Sequence, residues 1–380
     1  MTATERIDIS APRRLDDEES ASSTSSQRPL ITFGIITYNQ ERFVTAALQG
    51  AIAQTYSPLE IVISDDCSSD STFEVLQELV SEYDGPHKVH LHLNEQNLGL
   101  SGNLGQLMQL ARGDLIVAAA GDDISLPQRT ERLYEAYVRS GGKALSIYSN
   151  ARIIDEAGNP EGLYLGLQAP ERLSLSWMAK YTGGVLGCTQ AWHRSVFDMF
   201  GPMDPQVTRE DVVIPFRAGL LGEIAYVDED LVLYRRHADN FHFADLSDIR
   251  DVKQWQKRSS THAIGNVAIA RARREDVETV SAGFPEREHE LREIRHLLDA
   301  EIRDMEIERR LFELPRREAC SVIGAAALNG TRPRRVVRWA LWFVIPELYY
   351  RWLHLKAHAR RRLRTLFSPS ANPAAKHRAR

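Results

Sequence analysis

Four short apolar runs recur through the N-terminal part of the chain, and no other feature limits the fold as tightly. They are LITFGII from Leu30, LEIVIS from Leu59, KVHLHL from Lys88 and DLIVAAA from Asp114. KVHLHL alternates, while the others are continuous, as expected of strands covered on both faces. Between them, Phe43, Ala47, Leu48 and Ala51 fall on one face of a helix over 41–53, and Phe73, Leu76, Val80 and Tyr83 on one over 70–83. NLGQLMQLA is also helical in pattern. Strands that alternate with helices pair in parallel, because the helix carries the chain back to where the next strand starts. The expected fold is α/β: an open, mostly parallel sheet with helices on both faces. Ligands of such sheets lie beyond the carboxyl ends of the strands.

Polar residues gather at those ends. TYNQ (Thr37–Gln40) follows the first run, SDDCSSDS (Ser64–Ser71) the second, NEQNLGLSGN (Asn94–Asn103) the third and GDD (Gly121–Asp123) the fourth. Asp122 and Asp123 admit two readings. Asp favours turns and caps, and DISLP can simply start a helix at Pro127. Paired carboxylates also suit a hard divalent cation shared with substrate phosphates. Asp65 and Asp66 pose a similar choice, between an Asx turn with capping by Ser69 or Asp70 and acceptance of hydrogen bonds from a base or ribose. No G-x-x-x-x-G-K-[ST] occurs, and GLSGNLG does not have G-x-G-x-x-G spacing, so ATPase and dehydrogenase readings lose support.

From Ala144 the pattern changes. ALSIYSNARIID reads as one long or bent strand, EAGNP as a turn, and Leu173–Lys180 as a helix. GGVLGCTQAW is Gly-rich and strand-like, with Gly183, Gly184 and Gly187 either shaping an acceptor loop or allowing tight turns. REDVVIPFRAGLLG predicts a helix ending at Gly222, and EIAYVDEDLVLYRRH two short strands. After about residue 250 the chain is helical and charged. Leu291, Leu298, Met305 and Phe312 recur every seven residues beside a companion line of Ile294, Glu301 and Glu308. That marks an amphipathic helix more than a coiled coil.

The net charge of −5 over 380 residues points away from a nucleic-acid partner. From Thr331 onward, however, about a dozen Lys and Arg face one acid, Glu347. RVVRWALWFVIPELYYRWLHLKAHARRRLR mixes aromatics with arginines and is broken by Pro346. It suits a segment lying on an anionic membrane surface, or a helix packed on the charged region before it. Arg338, Glu347 and Arg351 argue against a span. Cys67, Cys188 and Cys320 are too scattered for a disulfide framework or a zinc site, and fit a reducing compartment. The polar, Ser-rich start lacks a signal's apolar core and predicts a disordered leader.

Taken together, ITYNQERFVTAALQGAIAQTYSPLEIVISDDCSSDST, NLGLSGNLGQLMQLARGDLIVAAAGDD and GCTQAWHRSVFDMFGPMDPQVTREDVVIPFRAGLLGEIAYVDEDLVLYRRH closely resemble family 2 glycosyltransferases of the GT-A fold, over about residues 30–240. The resemblance implies a nucleotide-sugar donor, Mn²⁺ or Mg²⁺, and inversion at the anomeric carbon. It implies nucleotide contacts from Thr37, Tyr38, Asn39, Asp65, Asp66, Asn97 and Asp122. Asp122 matches the last acid of the D-x-D metal motif, with Asp123 and His237 as further metal ligands. Glu210 and Asp211 match the E-D pair, Asp211 as catalytic base. One position departs: the first D-x-D acid is Ala120 here, which Asp123 is placed to offset.

The expected layout is a leader over 1–28 and a GT-A domain over 29–242, with a nucleotide half (29–125) and an acceptor half (126–242). A helical region (243–330) and a basic, membrane-associating tail (331–380) follow. The expected activity is inverting sugar transfer to a glycan or lipid-linked acceptor in cell-surface polysaccharide synthesis. The expected location is cytoplasmic, peripheral at the inner face of the cell membrane. The loss at Ala120 keeps a second reading open, a nucleotide-sugar-binding module without transfer activity. A sugar nucleotidyltransferase is disfavoured, because no Gly-rich, Arg-bearing loop follows the first strand.

Overall fold

The computed structural model describes residues 28–164, 174–180, 184–237, 240 and 251–366. Residues 1–27 of the expected leader, Gly183 and the end of the tail lie outside them. The four apolar runs form β1 (Ile31–Thr37), β2 (Leu59–Asp65), β3 (Lys88–Leu93) and β4 (Leu115–Ala120), parallel in the order β3-β2-β1-β4. The crossovers are α1 (Val44–Ile52), α2 (Thr72–Ser81) and α3 (Gly99–Leu110). In α1, Val44, Ala47, Leu48 and Ala51 are buried at the spacing of one helical face. β3 is the sheet's edge, and its outward Lys88 and His90 discourage pairing with another chain.

Beyond β4 the sheet is mixed. After β5 (Ile124–Ser125) and α4 (Arg129–Arg139) come β6 (Ala144–Ile154), β7 (Pro160–Tyr164), α5 (Leu175–Lys180), β8 (Gln190–His193), α6 (Ser195–Phe200), α7 (Glu210–Leu221) and β9 (Glu223–Arg235). β8 lies antiparallel between β4 and β6, β9 runs parallel to β6, and β5 pairs antiparallel with β9. The two strands expected over 223–237 are one strand. Its acidic stretch stays in the sheet because Asn150 donates to Asp228 at 2.9 Å and Arg152 to Asp230 at 3.0 Å, with register shifts around Asn150. GGVLGCTQAW is strand only from Gln190; a 3₁₀ turn over Gly187–Thr189 precedes it.

Two cores flank the sheet. Ile31, Phe33, Ile35, Ile61, Ile63 and Val117 pack with α1, α2 and α4 on one face. On the other, Val62, Ile116 and Trp192 pack with Leu104 and Leu107 of α3 and Val212 and Val213 of α7. Ala268, Ile269 and Ala272 of α8 (Val252–Gly283) join that second core, so the helical region is built into the sheet's flank. α9 (Glu288–Leu311) buries Leu291, Leu298 and Met305, while Phe312 stays partly buried just past its end.

The acids on the companion line have partners. α10 (Arg316–Leu328) leads to α11 (Pro333–Val344) and α12 (Pro346–Leu366). Arg335 of α11 bonds Glu301 and Asp304, and Arg338 bonds Glu308. Trp339, fully buried, donates its indole N–H to Glu308 at 2.7 Å. The first helix of the tail is therefore packed on the helical region. Pro346 separates it from α12, as expected.

Candidate active site

The loops after β1 and β2 are tied to each other. Thr37 Oγ1 donates to Asp65 Oδ1 at 2.7 Å, and Ser68 supplies Asp65 with two more bonds, from its N–H and hydroxyl. Asn39, in the left-handed region at φ 52°, accepts from the Ser69 N–H, while its own N–H donates to Ser68. Asp66 accepts from Asn94 at 2.9 Å and from the Leu98 N–H at 2.8 Å. Both acids are buried; Asp65 closes its own loop through Ser68, as Asx-type turns do, while Asp66 ties that loop to the segment after β3. Tyr38 stands exposed on the rim, and Asn97, also exposed, accepts from the Gly99 N–H at the start of α3.

Asp122 and Asp123 diverge. His237 Nε2 meets Asp122 Oδ2 at 2.9 Å, and Asn240 reaches the same oxygen at 3.4 Å. His237 Nδ1 is buried without a partner among the described residues. Asp123 turns inward and accepts the Arg235 N–H at 2.8 Å. Burial, then the neighbouring Asp122 charge, holds its carboxyl well above the usual range. Cys188 and the buried Arg129 guanidinium lie beside it. Arg235 secures the whole turn: its Nε donates to the Asp122 carbonyl and a terminal nitrogen to the Glu156 carbonyl, over the Phe43 ring.

The E-D pair opens α7. Asp211 is buried, and its Oδ1 has no partner among the described residues. Burial pushes the Asp211 carboxyl up to about 6, against Arg209 and Arg273, which favour its charged form. Burial and then Asp211 push the half-buried Glu210 to about 8. Pro215, one helical turn on, has no N–H to give the Asp211 carbonyl. That carbonyl instead accepts the Val185 N–H at 3.3 Å. A Cβ on Gly184 would collide with the same carbonyl, and one on Gly187 with the Glu210 carboxylate. These two glycines are small because the acid pair lies against them.

α8 braces the pair from behind. Arg273 donates to the Val212 carbonyl at 2.8 Å, and Arg209 bonds Asn266 at 2.8 Å. A cavity of about 170 Å³ joins the clusters, lined by Asp122, Asp123, Glu210 and Asp211 and, along the sheet, by Ile36, Ala118, Ala120 and Trp192. The structure thus brings Asp122, Glu210 and Asp211 around one space, with His237 bonded to Asp122 beside it. Thr37, Asp65 and Asp66 stand in the adjoining loops. Arg235, Asn240, Arg273 and Trp192 were not anticipated. For Arg235 a signal existed, since YRRH places it two residues before His237.

The mixed sheet, with acids from β4 and α7 facing across one cavity, is the GT-A fold. Residues 32–194 match the model of "Glycosyl transferase family 2". The chain is similar to an uncharacterized glycosyltransferase of Nostoc sp., 28% identical over 227 residues, covering 56% of this chain and 66% of that protein. It is also similar to an uncharacterized protein of Mycobacterium tuberculosis, 27% identical, covering 59% and 63%. The chain thus spans just under two thirds of the length of these relatives. Escherichia coli chondroitin synthase is 29% identical over 142 residues, 37% of this chain and 20% of that one. Among solved structures, S. aureus TarS in complex with UDP-GlcNAc aligns over 74% of this chain and 91% of that one, at 13% identity and TM-score 0.43. A Pyrobaculum calidifontis mannosyltransferase in complex with GDP-Man and Mn²⁺ aligns over 87% and 88%, at 15% identity and TM-score 0.46.

Proposed function

We propose that the protein transfers a sugar, with inversion, from a nucleoside-diphosphate donor to an acceptor hydroxyl in surface-glycan synthesis. The observation that carries this reading is the buried Asp211 carboxylate, with one oxygen unpartnered among the described residues, lining the same cavity as Asp122, whose carboxylate His237 meets at 2.9 Å. Asp211 takes the proton of the acceptor hydroxyl as that oxygen bonds to the anomeric carbon. The nucleoside diphosphate leaves with the electrons of the broken bond. Glu210, with its raised affinity for a proton, supports the pair in its protonated form.

The residues present fit a divalent ion. Adjacent ligands on an octahedral ion with bonds of about 2.1 Å lie about 3.0 Å apart, and Asp122 Oδ2 and His237 Nε2 are 2.9 Å apart. No group of three His, Cys, Asp or Glu among the described residues could hold a metal by itself. Asp122 and His237 would therefore hold it together with diphosphate oxygens, and Asp123, engaged by Arg235, would support the turn. The bound ion supplies charge neutralisation for the leaving diphosphate. Thr37, Tyr38, Asn39, Asp65, Asp66 and Asn97 frame the nucleotide end. The test is release of nucleoside diphosphate from UDP-, GDP- and dTDP-sugars with Mn²⁺ or Mg²⁺. Turnover is expected with one base and is expected to stop with EDTA. Full activity in EDTA removes the metal assignment, and tight donor binding with no turnover on any acceptor favours the binding-module reading.

No helix among the described residues is long and apolar enough to cross a membrane. α12 exposes Leu348, Trp352 and Leu355 at 61%, 50% and 71%, one narrow face continued from Ile345 and flanked by Arg351 and Lys356. The sequence continues with Arg360, Arg361, Arg362 and Arg364. This face suits an anionic bilayer at the cytoplasmic leaflet. The protein is expected to co-sediment with phosphatidylglycerol-containing vesicles and to dissociate as salt rises. Trp352→Glu is expected to abolish the binding. No sedimentation at low salt refutes the membrane role.

A further inference from the structure

We infer that the cavity beside Asp211 is a specificity pocket for a 2-acetamido-2-deoxy sugar on the donor. This rests on the donor reading above and narrows it to a substrate class. Central strands of a doubly covered sheet normally bury both faces. Here Ile36, Ala118 and Ala120, from the two central strands β1 and β4, remain only half-buried. The register sets Gly34 beside Ala118, Ile36 beside Ala120, and Ile116 opposite Trp192. All six residues thus line one face of the sheet, and all border the cavity. Leu104 and Leu107 of α3 form its far wall.

Two features of this lining select the ligand. The floor is apolar, and at Ala120 it carries only a methyl where the D-x-D motif has its first acid. A hydroxyl pressed onto it loses its water partners at a cost, whereas a methyl gains by burial. Trp192 also borders the cavity at 1% exposure, and its Nε1 has no partner among the described residues. A buried indole N–H seeks an acceptor. An acetamido group meets both needs, its carbonyl accepting from Trp192 and its methyl resting on Ile36 and Ala118. Its N–H is then left to the Glu210 and Asp211 carboxylates, which line the same cavity. A plain hexose hydroxyl satisfies the indole but leaves the floor uncovered, and a 6-deoxy methyl covers the floor but leaves the indole unpaired.

The test is calorimetry on the full chain with Mn²⁺. Free UDP, GDP and dTDP are ranked first; if none binds, the nucleotide-sugar reading itself fails and this inference falls with it. On the base that binds, the 2-acetamido-2-deoxyhexose diphosphate is compared with the hexose diphosphate of the same configuration. The expected result is a Kd lower by about tenfold or more for the acetamido donor, the effect of one buried donor paired rather than left open. Trp192→Phe is expected to bring the ratio close to one while the free nucleotide binds as before. Ala118→Leu, which fills the floor, is expected to weaken the acetamido donor selectively and serves if Trp192→Phe does not fold. Equal affinities within the pair, or a preference that survives both substitutions, overturn the inference.

Discussion

Asp211→Asn is expected to slow sugar transfer about 10²–10⁴-fold, the usual worth of a general base, with nucleotide affinity nearly unchanged. Asparagine keeps the size of the side chain and cannot accept the acceptor's proton. Glu210→Gln is expected to cost less, since Glu210 supports the pair. The wild-type rate should rise with pH through about 6, where Asp211 gives up its proton. Stability separates lost chemistry from lost structure. The folded Asp211 carboxyl titrates above its usual 3.8, so the folded state favours the neutral form, and ionisation costs stability as pH rises through that window. The amide variant should therefore be at least as stable as wild type at pH 7, with any gain vanishing near pH 4. Near wild-type transfer by Asp211→Asn, measured beside an inactive Glu210→Gln, would give the role of base to Glu210.

Arg217→Met is expected to lower stability by about 3–5 kcal/mol at pH 7, the cost of stranding a buried charge. Arg217 Nε reaches both oxygens of Asp276, at 3.1 and 3.0 Å, and both side chains are about 5% exposed or less. The same guanidinium donates to the Gly201 carbonyl at 2.8 Å and lies over the Phe200 ring. Burial pushes Asp276 up to about 6 even with its partner in place. Without Arg217 the acid is harder still to ionise, so the deficit should shrink as pH falls towards about 6 and level off below it. A double variant, Arg217→Met with Asp276→Leu, should recover much of the loss. Thermal unfolding across pH 5–8 measures both effects, and a pH-independent deficit in the single variant would mean that packing, not charge, carries the pair.

The first half of the sheet was legible because buried parallel strands write themselves as continuous apolar runs. Ile31–Thr37 and Leu59–Asp65 are such runs and lie within a residue or two of their expected bounds. The second half was less legible because its order is set by contacts distant in sequence. Nothing in QAWH says that it slots antiparallel between β4 and β6. The aspartates in VDEDL argued for a break, and only their partners on β6 show why the strand continues. At the site, the acids were readable from their positions after strands and at a helix start. The arginines were not. Arg129, Arg217 and Arg273 are at most 4% exposed, and a lone arginine in a sequence is by default a surface residue.

Pro215 has a practical consequence for anyone who would retune the proposed activity. The carbonyl that it releases anchors Val185, and the residues after Val185 wall the cavity proposed to take the sugar. The wall and the helix turn that carries Asp211 are thus one mechanical part. Swapping residues 184–188 to admit another donor would also re-aim Asp211, so changes in selectivity made there should come with changes in turnover. The floor strands carry no such link to the helix, and substitutions at Ala118 or Ile36 offer the independent control.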